Sequence, residues 1–271
     1  MPRDGSQPND HGAGQPTTTS CLPGTLYVVS TPIGHPDDIT IRALAMLRRV
    51  TVIASEDPRA TQTLLAHHGI PATVTSYGPF NRHEKMLLLL HRLTQGQDIA
   101  LVSDNGTPVI YDPGSLFVAA AHQAGIPVKA VPGPSPLTAA AAISGFSGDA
   151  IIFDGHLPSI KRRLVPYLSQ FRKERKTLVF YVGSRALPVL LKTLAQILPT
   201  RQTVIAMNLT TSEETLACGK PAELLDKIVP VVMTSAVTVV IEGYRVGSHR
   251  KKDKPKNAPR YSSSPRRMST R

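Results

Sequence analysis

Residues 99–114, IALVSDNGTPVIYDPG, constrain the fold of this chain more than any other stretch. Ile99 to Val102 is a short apolar run of the kind a strand covered on both faces requires. It breaks into a loop carrying Asp104, Asn105, Gly106, Thr107, Pro108, Asp112, Pro113 and Gly114, and a helix-like segment, residues 115–124, follows and stops at Gly125. In an open α/β sheet, ligands bind at the loops on the carboxyl ends of the strands. Gly106 lets backbone approach a ligand with no Cβ in the way, and the prolines set the loop's shape in advance. An ordinary strand-to-helix turn is the plainer reading, but the loop is long and dense in such residues.

The rest of the chain repeats this pattern. Strands are expected over residues 25–30, 51–54, 73–77 and 128–131, alternating with helices over 39–49, 58–68, 82–94 and 136–143. Asp38 is placed to cap the first helix, and Asp57 followed by Pro58 fits the N-cap and first position of the second. Regular alternation with short connections predicts a largely parallel sheet. Residues 145–148 read as a boundary. Beyond it, strands are expected over 150–154, 177–182, 203–207 and 238–242, with helices over 161–173 and 187–198. A hairpin strand over 214–218 precedes a helix over 221–228. The expected organisation is α/β: a disordered segment 1–23, lobes over 24–146 and 147–245, and a basic disordered tail 246–271.

Charge matters because it is uneven. The net charge is +12, and residues 250–271 hold nine Lys or Arg against one acid, Asp253. With three prolines and a Ser run, this tail suits a cationic arm that follows a phosphate backbone, or a solubilising extension. The arm's candidates for binding a nucleic-acid backbone are Arg250, Lys251, Lys252, Lys254, Lys256 and Arg260. Cys21 and Cys218 match no metal or redox spacing. The first twenty residues lack the apolar core of a secretory signal, and residues 228–241 are too short and interrupted to span a membrane. A cytoplasmic protein is expected. No strand is followed by G-x-G-x-x-G and no Walker-type loop occurs, which removes the usual dinucleotide and P-loop readings. His67-His68 ends a helix, where the dipole suits it, and no metal site is expected.

Four Gly/Pro-bearing loops at strand ends, residues 31–34, 55–59, 103–114 and 132–135, should open on one edge of the sheet and converge on one cleft. They carry GTLYVVSTPIG, SEDPR, ALVSDNGTP-x-I-x-DPG and VPGPS; DITIRAL, AGIPV, ISGF, DGHLP and TLVFY stand elsewhere in order. With these motifs, residues 24–243 resemble the tetrapyrrole-methylase superfamily of S-adenosylmethionine (SAM)-dependent enzymes. Within it they resemble the branch that methylates a cytidine 2′-hydroxyl in the decoding region of 16S rRNA.

The resemblance implies two α/β lobes with SAM in the cleft between them, a homodimer, and the 30S subunit as partner. It makes Ser103, Asp104, Gly106, Thr107 and Ile110 the main cofactor loop, with Pro132, Pro134 and Ser135 opposite and Met207 to Leu209 over the adenine. Pro32, Glu56, Asp57 and Arg59 would lie near the transfer site. A weakly nucleophilic ribose hydroxyl needs a proton acceptor, for which Glu56 and Asp57 are candidates, with Glu213 and Glu214 as a third. Each has a plainer reading: Asp57 as helix cap, Glu56 as partner of Arg59, Glu213 and Glu214 as solvated hairpin charges. The chain departs from the family pattern at Pro58, at His35, and over 78–82, 182–185 and 207–211. The cofactor side is thus better kept than the substrate side. A small-molecule methylase and a non-catalytic ribosome binder stay open beside the RNA reading.

Overall fold

The computed structural model describes residues 22–155, 157–158, 160–227 and 236–245. The first half is a five-stranded sheet in the order β3-β2-β4-β1-β5, formed by β1 (Leu26–Val29), β2 (Val52–Ser55), β3 (Val74–Ser76), β4 (Ile99–Val102) and β5 (Val128–Val131). Every pairing in it is parallel, with Leu26 opposite both Ile99 and Val128. The apolar runs of β1 and β4 are needed because both faces are covered. Tyr27, Val29, Ala100 and Val102 pack with Ala43 and Leu47 of α1 (Ile41–Arg49) and Leu65 of α2 (Pro58–His67). Leu26, Ile99 and Leu101 pack with Leu89 and Leu93 of α3 (Arg82–Thr94) and Phe117 of α4 (Ser115–Gln123).

This arrangement follows from handedness. Crossovers through α1 and α2 run one way along the sheet and those through α3 and α4 the other, so right-handed connections place the two pairs of helices on opposite faces. The loops leaving the adjacent strands β1 and β4 therefore diverge to opposite faces. The crevice between them is a topological switch point, where open α/β sheets bind ligands.

The second sheet has the order β6-β7-β10-β8-β9, from β6 (Ile151–Asp154), β7 (Thr177–Gly183), β8 (Thr203–Met207), β9 (Thr215–Gly219) and β10 (Ala236–Ile241). Only β6 and β7 pair in parallel. One face carries α6 (Lys161–Ser169), α7 (Leu187–Ile197) and α8 (Pro221–Lys227) over a core that includes Phe180, Leu191 and Ile205. The other face, with Val179, Val204 and Val240, packs on Ala140 of α5 (Pro136–Ser144) and on Ile33 of the β1 loop. That packing joins the halves. Within the second half, Arg201, 5% exposed, donates to the carbonyls of Phe171, Arg172, Glu174 and Glu242 and clasps the end of β10 to the segment after α6.

Two local expectations are corrected. Asp38 does not cap α1: Pro36–Asp38 forms a turn of 3-10 helix, and the cap is Thr40, whose Oγ1 accepts from Ala43 N at 3.1 Å. The extended, buried Ile39 separates the two, anchoring the loop in the core. The helix expected over 161–173 ends at Ser169, with Pro166 inside it and single turns continuing past it. The segments 1–21 and 246–271, with Cys21 and the six basic arm candidates Arg250, Lys251, Lys252, Lys254, Lys256 and Arg260, lie outside the described residues.

Candidate functional site

A cavity of about 420 Å³ lies between the lobes at the switch point. The first lobe contributes Ile33, Glu56, Ser103, Asp104, Asn105, Ile110, Tyr111, Asp112 and Pro136. From the second come Tyr181, Val182 and Gly183 at the end of β7, Leu209 after β8, and Ala236, Val237 and Thr238 of β10. Its volume falls within the range of small-molecule sites.

The loops that frame it are buckled together by hydrogen bonds. Thr31 N donates to Gly106 O at 2.9 Å and its hydroxyl to Ser103 O at 2.8 Å. Thr107 Oγ1 donates to Pro134 O at 3.1 Å and lies 3.0 Å from Ser30 Oγ. Thr107 thus ties β1, the central loop and the β5 loop. Gly106 sits at φ +89°, and a Cβ there would come within 2.9 Å of Pro136 Cδ and 3.2 Å of Ile33 Cγ2. Its missing side chain serves the protein's own packing behind the cavity wall.

Strain concentrates here. The non-glycine residues with positive φ among those described are Val109 (76°), Tyr111 (59°), Asn208 (51°) and Thr210 (64°). They fall in two loops that supply cavity residues, the central loop and the turn after β8. Such conformations persist only where surroundings impose them. Asp112 imposes one by accepting from Val109 N at 3.2 Å and Gly114 N at 2.7 Å. Gly155 gives the Tyr111 ring its place, since a Cβ at 155 would lie 2.4 Å from Tyr111 Cδ2.

Three carboxyls gather at one side of the cavity. Partial burial, then the charges of Asp104 and Asp112, hold Glu56 above the ordinary glutamate range. Asp104 is also raised, chiefly by burial and against the hydrogen bond it accepts from Asp57 N at 2.9 Å. Asp57 has a different task. Its Oδ1 accepts from Arg59 N at 2.9 Å and Ala60 N at 3.2 Å, so it is the N-cap of α2, with Pro58 in the first turn. Glu56 forms no ion pair with Arg59 among the described residues.

The residues singled out from the sequence are thus distributed. Glu56, Ser103, Asp104, Ile110 and Leu209 line the cavity. Pro32 lies on an adjoining cavity of about 270 Å³ that Ser103 and Asp104 share. Gly106, Thr107 and Pro134 form the support behind the wall. Pro132 precedes that loop, and Met207 is buried in the core of the second lobe. Arg59 is exposed on the first turn of α2. Glu213 and Glu214 are exposed in the turn before β9, where Glu214 accepts from Thr210 N at 2.6 Å.

Several cavity residues carried no sequence signal. Ala236, Val237 and Thr238 arrive because β10 inserts between β7 and β8, a long-range pairing. Tyr181 OH accepts from Leu137 N at 3.0 Å and bonds the Ser135 hydroxyl, so the second lobe caps α5 of the first. Ser135 itself makes no side-chain cap bond to that helix. Burial raises the Tyr181 phenol.

Comparison with known proteins gives the arrangement a context. Residues 25–225 match the family model of tetrapyrrole (corrin/porphyrin) methylases. A ribosomal RNA small subunit methyltransferase I from Micromonospora olivasterospora is 39% identical over 221 residues, covering 81% of this chain and 71% of that protein. One from Thermotoga maritima is 38% identical over 220 residues, covering 81% of this chain and 99% of its own length. The fold is similar to that of uroporphyrin-III C-methyltransferase from Thermus thermophilus complexed with S-adenyl homocysteine, with a TM-score of 0.58 and 21% identity. That likeness covers 81% of this chain and 97% of that one.

Proposed function

The chain belongs to the tetrapyrrole (corrin/porphyrin) methylase family, and from that premise we propose that it transfers a methyl group from SAM to the ribose 2′-hydroxyl of a cytidine in 16S rRNA. Its client is the 30S subunit, and it works in the cytoplasm as a homodimer. The relatives named as small subunit rRNA methyltransferases support the RNA substrate. The observation that carries the reading is the three-carboxyl cluster on an otherwise largely apolar cavity at the switch point.

The residues fit the cofactor. Apolar walls from Ile33, Ile110, Leu209 and Val237 suit an adenine and a methionyl chain, and carboxylates beside them suit a ligand that carries sulfonium and ammonium charges. Ser103, Asp104 and Ile110 from one lobe and Leu209 and Thr238 from the other would hold it. When bound, SAM supplies an electrophilic methyl group on a positively charged sulfur.

Glu56 is the proton acceptor in this reading. A carboxylate whose proton affinity is raised by burial and by Asp104 and Asp112 is a stronger base than one in water. Aligning the hydroxyl with the methyl group supplies several kcal/mol without further chemistry. Asp57 acts through α2, which it caps beside Glu56. The loop after β3 provides an RNA surface: Gly78 packs on Glu56, Asn81 pins the turn through Gly78 N and Ser76 Oγ, and Phe80 stands fully exposed. An exposed ring two residues from Gly78 is suited to stacking an unpaired base. Arg59 and the arm from Arg250 to Arg260 add sequence-independent attraction to phosphate.

The test is transfer of labelled methyl from SAM to 30S particles that lack the modification, followed by mapping of the label. Label on a decoding-region cytidine ribose supports the proposal. Absence of label with SAM still bound would refute the RNA substrate and point to a different client.

A further inference from the structure

Thirty residues apart in sequence, Asp37 and His67 meet at 3.0 Å, Oδ1 to Nε2. His68 joins them, and one donor atom from each of the three lies within 4.8 Å of the others. Consecutive residues on a helix do not face the same way, so two adjacent histidines converging on one point need a cause. His67 is the last residue of α2, and His68 is its C-cap at φ −98°, ψ 10°, where the backbone leaves the helix. That turn brings the second ring to 4.7 Å from the first, perpendicular to it, and sets His68 Nε2 3.1 Å from Pro36 O. Two imidazoles, a carboxylate and a carbonyl therefore gather where the loop after β1 crosses the end of α2.

We propose that Asp37, His67 and His68 form a binding site for a divalent transition ion of the zinc class. Nitrogen and carboxylate donors in this number suit Zn²⁺, whose tetrahedral shell sets ligand atoms roughly 3.3 Å apart. The Asp37–His67 pair is already near that spacing, and closing the rest takes about 1–1.5 Å of side-chain movement at the surface. The fourth position falls to Pro36 O or water. The ion would staple the loop carrying Ile33 and Gly34, which borders both cavities, to the helix that starts at Asp57. It is a structural staple with no part in methyl transfer.

The purified full-length protein, freed of metal with a chelator, would be titrated with ZnCl₂ by calorimetry and with CoCl₂ by visible absorption. The expected result is one ion per chain, a cobalt spectrum with nitrogen-ligand d–d bands, and a raised melting temperature with zinc. Asp37→Asn and His67→Gln keep hydrogen-bonding capacity at the surface but lose ligand strength, and each should weaken binding by about tenfold or more. Cys218→Ser should leave binding unchanged, since Cys218 lies outside the cluster. Absence of stoichiometric binding in the wild type, or equal affinity in His67→Gln, would overturn the site and leave an ordinary surface ion pair.

Discussion

At the residue scale, the carboxyls at the mouth of the cavity divide their work by what already occupies them. The Asp57 oxygen is used by two helix amides, whereas Glu56 lies against two other acids and is held above its ordinary value of 4.5 by partial burial and by their charges. Asp57→Asn keeps the cap and should leave stability and turnover close to wild type, whereas Asp57→Ala should cost about 1 kcal/mol in a denaturation curve. Glu56→Gln should lower kcat by roughly 10²–10⁴ while SAM affinity, read by calorimetry, holds. A base must be ionised, so the acid limb of the kcat–pH profile should lie above 4.5, and Asp104→Asn should move it to lower pH. The sign for stability is the reverse of the usual acid case. With its folded pKa raised, Glu56 disfavours folding once pH rises above 4.5, so Glu56→Gln should melt at an equal or higher temperature at neutral pH.

At the element scale, the central loop is a rigid part of the wall. Ile99–Val102 and the helix from Ser115 coincide with the expected strand and the expected helix start because a covered apolar run has no other stable state here. Between them, Val109 and Tyr111 hold left-handed backbone that no residue pattern announces, since the causes are the Asp112 side chain and the recess over Gly155. Gly106 was legible as special, and its protein surroundings add a reason that local pattern does not show: a Cβ there would meet Pro136 and Ile33. Gly106→Ala should therefore destabilise by about 1–3 kcal/mol through backbone strain and contact, measured by chemical denaturation. SAM binding should fall with it, because the same contacts set the wall.

For the whole molecule, the decisive contacts run between lobes. The α5 helix begins without a side-chain cap of its own, and Tyr181 of the second lobe accepts from its Leu137 amide. Tyr181→Phe should cost about 1 kcal/mol and weaken SAM binding, as a half-buried amide loses its acceptor at the cavity edge. Within the second lobe, Arg201 joins four carbonyls with one guanidinium. Its replacement by Ala should cost about 3 kcal/mol in thermal or chemical unfolding, since four hydrogen bonds from a charged donor and the packing of a buried side chain are lost together. Deleting residues 250–271 should flatten the salt dependence of 30S binding and spare SAM affinity.

The sequence by itself determined the alternation of strands and helices, the parallel first sheet, the caps at Asp57 and Gly125, and the four loops on one sheet edge. Those features rest on apolar periodicity, turn residues and the handedness of crossovers, all of which act over short stretches of chain. Tertiary structure alone decided that β10 inserts between β7 and β8, that Tyr181 caps a helix of the other lobe, and that Glu56 lies beside Asp104 and Asp112 while Asp57 caps α2. It also brought His67 and His68 against Asp37. Each of these depends on pairing between segments far apart in sequence, where side-chain packing selects among partners that local pattern leaves equivalent.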